Sequence, residues 1–114
     1  MDEYSESFDA ASWEPNPKDL RKDGTPKGKG WMGVLPVKYP DGKTGVATEY
    51  SIGVNIGGKP VDIPSIIPTL APEELDVMLK DVIPNRKPVP EGIMKKAVDH
   101  ATGRIMKGLS PYRD

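Results

Sequence analysis

The chain contains no cysteine and a single histidine, and each scarcity removes a class of chemistry. Without cysteine there is no disulfide framework, no thiolate metal site and no thiol nucleophile. One histidine cannot build a multi-histidine zinc centre. No apolar run approaches the roughly 20 residues that span a bilayer. The first residues, MDEYSESFD, are acidic, the reverse of a signal peptide. Neither sign of charge dominates: the formal net charge is −1, so bulk electrostatics point to neither a nucleic-acid binder nor a membrane-surface protein. The expectation is a soluble protein made in a reducing cytoplasm, without cofactor or metal. Hydrophobic residues are also scarce, at 36%. That is below the usual range of about 45–50% and points to a small core carrying long irregular segments.

What is abundant is proline and glycine, thirteen and twelve of 114 residues, and their positions are informative. Residues 1–30 read as an extended arm. Asp2, Glu3, Glu6, Asp9 and Glu14 make its first half acidic, with no basic residue among them; Lys18, Arg21, Lys22, Lys27 and Lys29 then reverse the sign. Tyr4, Phe8 and Trp13 are set into the acidic half. A solvated tail is the ordinary fate of a terminus. A segment that orders on a partner or a neighbouring subunit, with these rings as anchors, is the sharper reading.

Residues 31–114 read as a small α+β domain. Trp31–Lys38 is a predicted strand, and Tyr39-Pro40-Asp41-Gly42 has the chemistry of a type I turn with a glycine bulge. That turn pairs Val37 with Gly45 and Leu35 with Ala47. In Thr44–Ile56, residues Val46, Thr48, Tyr50, Ile52, Val54 and Ile56 alternate with small or polar ones, the period of a strand. Gly57-Gly58 supplies the two positive-φ positions of a type I′ turn. Val54 then opposes Val61, and Ile52 opposes Ile63. Pro60 and Pro64 fall on non-hydrogen-bonded positions, which makes Val61–Ile67 an edge strand. The expected sheet is a three-stranded antiparallel meander.

Two C-terminal helices follow. Pro72 suits a first helical position, and Leu75, Met78, Leu79 and Val82 recur at helical spacing. Pro84–Pro90 reads as a stiff, non-helical connector. The second helix runs from Pro90 or Glu91 to Lys107, with a stripe of Ile93, Ala97, Val98, Ala101 and Ile105 and a stop at Gly108.

Little here resembles catalytic chemistry. Gly28-Lys29-Gly30-Trp31-Met32-Gly33 matches G-x-G-x-x-G, but a loop precedes it and a strand follows, the wrong context for a dinucleotide. His100, Glu49 and Arg104 are read as a structural polar cluster tying the second helix to the sheet. The same three residues are also the best alternative for an active site. Lys95, Lys96, Arg104 and Lys107 form a basic set on the second helix, more often a solvated face than a binding surface.

Five stretches carry a family resemblance. They are Arg21-Lys22-Asp23-Gly24-Thr25-Pro26-Lys27 with Gly30-Trp31-Met32-Gly33, then Ala47-Thr48-Glu49-Tyr50-Ser51-Ile52-Gly53-Val54, then Ile63-Pro64-Ser65-Ile66-Ile67-Pro68-Thr69-Leu70, then Ala97-Val98-Asp99-His100-Ala101. The set resembles a module of tailed-bacteriophage proteins, found as small phage proteins and near the ends of long virion proteins. Leu109-Ser110-Pro111-Tyr112 is similar to the module's close, so the likeness spans about residues 17–112. Ala71 stands where a threonine cap is expected, which weakens that cap. The resemblance implies a non-enzymatic virion protein, capsid-decorating, head–tail or tail-associated. Its implied partners are other virion proteins (capsid, portal or tail), with many copies in the particle. The alternative is a phage-encoded inhibitor or regulator that binds a host protein.

Overall fold

The computed structural model describes Lys18, Leu20, Arg21 and residues 24–113. Among these, four strands form two separate antiparallel hairpins. β1 (Leu35–Lys38) pairs with β2 (Thr44–Ala47), and β3 (Ser51–Ile56) pairs with β4 (Lys59–Pro64). The α+β class stands, but the expected three-stranded meander does not form.

Both hairpin registers follow from their turns. Leu35 faces Ala47 and Val37 faces Gly45. The Gly42 N–H donates to the Tyr39 carbonyl at 3.0 Å, and the Tyr39 N–H to the Lys43 carbonyl at 2.8 Å. Gly42 takes φ +87°, the left-handed position of a glycine bulge. In the second hairpin, Ile52 faces Ile63 and Val54 faces Val61. Gly57 and Gly58, at φ +61° and +79°, close the type I′ turn. Along β3 the even-numbered apolar residues are half-buried and their neighbours exposed, the alternation that the sequence implies.

The meander fails at Thr48–Tyr50. Tyr50 adopts φ +41°, a left-handed conformation that costs a non-glycine residue about 1–2 kcal/mol and breaks the strand. Tertiary contacts hold it there. The Glu49 carbonyl accepts from the Ser65 N–H at 3.0 Å, and the Ser65 hydroxyl donates to the Tyr50 carbonyl at 2.6 Å. Side-chain alternation alone carries no trace of this break. Ser65, Ile66 and Ile67 are accordingly not strand; they dip fully into the core.

The first helix also departs from expectation. It starts at α1 (Pro72–Val77), widens into a π turn at Met78–Val82, and continues as α2 (Ile83–Asn85). Pro84 therefore lies inside the helix and not in a connector. Proline is excluded from a helix interior by its missing N–H and its clash with the carbonyl one turn back. The wider turn, in which the Ile83 N–H reaches the Met78 carbonyl, relieves the local α-helical geometry just before the ring. Arg86, left-handed at φ +53°, then ends the helix, with the Lys87 N–H returned to the Val82 carbonyl at 2.9 Å. At the start, Ala71 offers no side-chain oxygen, but Glu74 accepts its N–H at 2.8 Å and supplies half of a capping box.

α3 (Glu91–Met106) ends as expected, with Gly108 at φ +75° and the Leu109 N–H on the Arg104 carbonyl at 2.9 Å. Ile93, Ala97 and Ala101 are buried, Val98 is half-buried and Ile105 is exposed, so the apolar stripe ends one turn early. Ile93, Ala97 and Ala101 meet Val37, Ala47, Ile63, Ile66, Ile67, Met78 and Val82 in one core, with Val98 packed against it. Each fully buried Val, Ile or Met side chain there stabilises the fold by about 1.5–3 kcal/mol before entropy is counted.

Candidate functional site

The most elaborate polar assembly among the described residues forms where Glu49 turns out of the broken strand. Its side chain is 4% exposed and meets Arg21, 2% exposed, in a two-point ion pair. Arg21 Nε donates to Glu49 Oε1 at 3.0 Å, and Nη2 donates to Oε2. The Gly28 N–H donates to the same Oε2 at 3.1 Å, and Arg21 Nη1 donates to the Thr25 hydroxyl at 3.1 Å. Two buried charges are tolerable only when their hydrogen-bonding capacity is filled in this way.

A tight loop delivers the arginine. Arg21 N–H bonds the Thr25 carbonyl at 2.8 Å, Gly24 N–H bonds the Arg21 carbonyl at 2.9 Å, and Leu20 bridges Pro26. Arg21 and Gly28 of the sequence-defined arm are thus tied to Glu49 of the body. Opposite the carboxylate, the guanidinium lies 4.0 Å from the centroid of the Tyr112 ring. Tyr112 is buried, and its hydroxyl sits 2.8 Å from the Ser51 hydroxyl. Burial pushes the Tyr112 phenol above its ordinary value, so it stays protonated and available as a donor. Beside this clamp runs a cleft of about 450 Å³, bordered by Lys27, Thr48, Ser51, Asp62 and Tyr112 among others.

A second assembly forms around Trp31. His100 meets its ring edge-to-face, centroids 5.0 Å apart at 83°. The Arg104 guanidinium lies 4.7 Å from the ring centroid. The indole N–H donates to the Pro111 carbonyl at 3.2 Å, and Arg104 Nε donates to the Ser110 carbonyl. His100 Nδ1 is buried with no hydrogen-bond partner. Burial, helped by the neighbouring Arg104 charge, lowers the His100 pKa and keeps the ring neutral.

The cluster expected from sequence is therefore split. His100 and Arg104 do come together, on Trp31, but Glu49 belongs to Arg21 on the other assembly. The sequence reading placed Glu49 mid-strand, facing the second helix; the left-handed Tyr50 turns it toward the 20–28 loop instead. The Glu49 carboxylate accepts three N–H donors, and the His100 imidazole packs edge-to-face with the Trp31 indole. Tyr4, Phe8 and Trp13 lie outside the described residues. Arg21, Trp31 and Tyr112 escaped prediction as site residues. Arg21 pairs across 28 positions, and no local spacing signals such a contact.

Among the described residues, no group of three or more His, Asp or Glu side chains could hold a metal ion, and no helix is long and apolar enough to cross a membrane. No family model, curated protein or solved structure matches the chain.

Proposed function

We propose that this chain is a non-enzymatic structural or accessory protein of a tailed-phage particle, capsid-decorating, head–tail or tail-associated. It binds a larger virion protein through its acidic arm and its body, and is present in many copies. The observation that carries the reading is where the phage-like motifs meet. Arg21, from the Arg21–Lys27 stretch, pairs with Glu49, from Ala47–Val54, and packs on Tyr112, from the close, while Ser65, from Ile63–Leu70, donates its N–H to the Glu49 carbonyl. Trp31 and His100, from two further motif stretches, meet in the stack. A motif set whose residues fasten the body together describes a scaffold, and a scaffold leaves recognition to the segments it displays.

Mass spectrometry of gradient-purified particles tests this directly. The protein is expected at a stoichiometry that matches capsid or tail symmetry. Recovery only from infected-cell lysate, bound to a host protein, would favour an inhibitor instead. Joint replacement of Tyr4, Phe8 and Trp13 by alanine should reduce incorporation while leaving the melting temperature of the body unchanged. Normal incorporation of that triple variant removes the arm from the proposal.

A further inference from the structure

Along β1 lies a groove of about 660 Å³ that neither the clamp nor the stack uses. Every residue from Pro36 to Pro40 borders it. Successive strand residues point to opposite faces, so a groove touched by all of them follows the strand edge. Leu79, Lys80, Pro84 and Asn85 of the first helix form the far wall. The walls are rich in rings, with Pro36, Tyr39, Pro40 and Pro84 flanking Leu79. Thr44 also lines the groove, and its buried hydroxyl has no hydrogen-bond partner.

The charge of the lining sets this groove apart. Its charged residues, Lys38 and Lys80, are both basic. By contrast, Glu49 and Asp62 border the clefts at Tyr112, and Asp99 borders the one at His100. Lys38 makes no ion pair among the described residues. Lys80 meets only Asp76, at 3.4 Å with both side chains largely exposed, a geometry that contributes little.

The chain carries the complement of this surface. Residues 1–17 hold five acidic residues, no basic one, and the rings of Tyr4, Phe8 and Trp13. Fully extended, they reach roughly 60 Å, enough to cross onto a neighbour. Their root is bolted at Arg21 to Glu49 and Tyr112, beside β3 and β4, whereas the groove belongs to β1 and the first helix. We infer that the groove receives the acidic arm of a second copy of this chain, with aromatic rings seated among its prolines and Tyr39 and carboxylates set against Lys38 and Lys80. The inference rests on the multicopy reading above, because neighbouring copies held in one particle present their arms at high effective concentration.

The test uses the full-length protein with p-benzoylphenylalanine in place of Phe8 or Trp13. Light and isotopically heavy copies are mixed, irradiated and mapped by mass spectrometry. Heavy–light crosslinks are expected between the arm and residues 36–44 or 79–85. Lys38→Glu combined with Lys80→Glu, both at exposed positions, should abolish these crosslinks with no change in melting temperature. Crosslinks confined to single copies, crosslinks landing elsewhere on the body, or none at all overturn the inference. Crosslinks that survive the double charge reversal overturn it as well. If the protein is found in particles but these crosslinks fail, only the inference falls; if the crosslinks form but particles lack the protein, only the virion reading falls.

Discussion

The clamp at Arg21 and the stack at Trp31 do the same mechanical work by different physics. Each joins an early segment to the body and captures part of the stretch Ser110–Tyr112. In the clamp, a buried charge pair is held by matched donors and acceptors, and the Glu49 carboxylate accepts three N–H donors. In the stack, ring faces and edges carry the contact, and one imidazole nitrogen remains unsatisfied. Charge pairs in a low-dielectric interior act all or none, because removing one partner strands the other. Ring packing degrades gradually, although a buried nitrogen without a partner costs about 1–3 kcal/mol. The clamp should therefore fail on deletion of a single group, and the stack should respond to pH.

The largest effect is expected from Arg21→Ala, which leaves the Glu49 carboxylate buried without its cation. A loss of about 3–5 kcal/mol is expected in urea unfolding. The paired change Arg21→Met with Glu49→Leu should recover most of it, and a double variant as unstable as the single would show that the charges are not the point. Next is Gly30→Ala, between Gly28 of the clamp and Trp31 of the stack. Gly30 has φ +82°, and an added Cβ would fall 2.0 Å from the Thr48 carbonyl oxygen, where no side chain fits. Strain and overpacking together predict about 2–4 kcal/mol, read by thermal melting.

On the stack, Trp31→Phe keeps a ring but removes the donor to the Pro111 carbonyl, and about 1 kcal/mol should be lost. A larger loss would mean that the indole does more than bond and stack. Titration separates the two assemblies more finely. The folded state lowers the His100 pKa below its unfolded value of about 6.5. Below that value the unfolded chain binds more protons, so this contribution is complete at neutral pH and is lost as pH falls through the folded pKa. Stability measured from pH 7 down to 5 should therefore decline, and His100→Phe should flatten the decline. An equal slope in the variant would assign the decline to other groups. The smallest effect serves as the control. Lys95→Ala, which removes an exposed pair with Asp99, should change stability by less than about 0.5 kcal/mol.

Turn chemistry made both hairpins legible. Tyr39-Pro40-Asp41-Gly42 and Gly57-Gly58 each admit one backbone path, and that path sets the pairing of every residue behind it. Gly108 marked the end of α3 for the same local reason. The strand break at Tyr50 was hidden because its conformation is imposed by Ser65, fifteen residues away, while the alternation from Val46 to Ile56 runs on without interruption. Pro84 misled in the opposite sense: a proline reads as a helix stop, and a π turn placed just ahead of it let the helix continue. Of the polar cluster, the half that lies on one helix face, His100 and Arg104, was readable from spacing. The partner of Glu49 was not.

What the sequence determined by itself is what neighbouring residues enforce through sterics: two hairpin registers, the apolar face of α3 and its stop at Gly108, and the acidic, ring-bearing composition of residues 1–17. What only the tertiary structure decided is where the long-range polar groups go. A buried carboxylate must find a cation wherever the fold brings one, and here a left-handed turn at Tyr50 sends Glu49 to Arg21 and leaves His100 to the indole of Trp31. Local sterics cannot encode that choice, because it is the desolvation of charges in the assembled core that makes it.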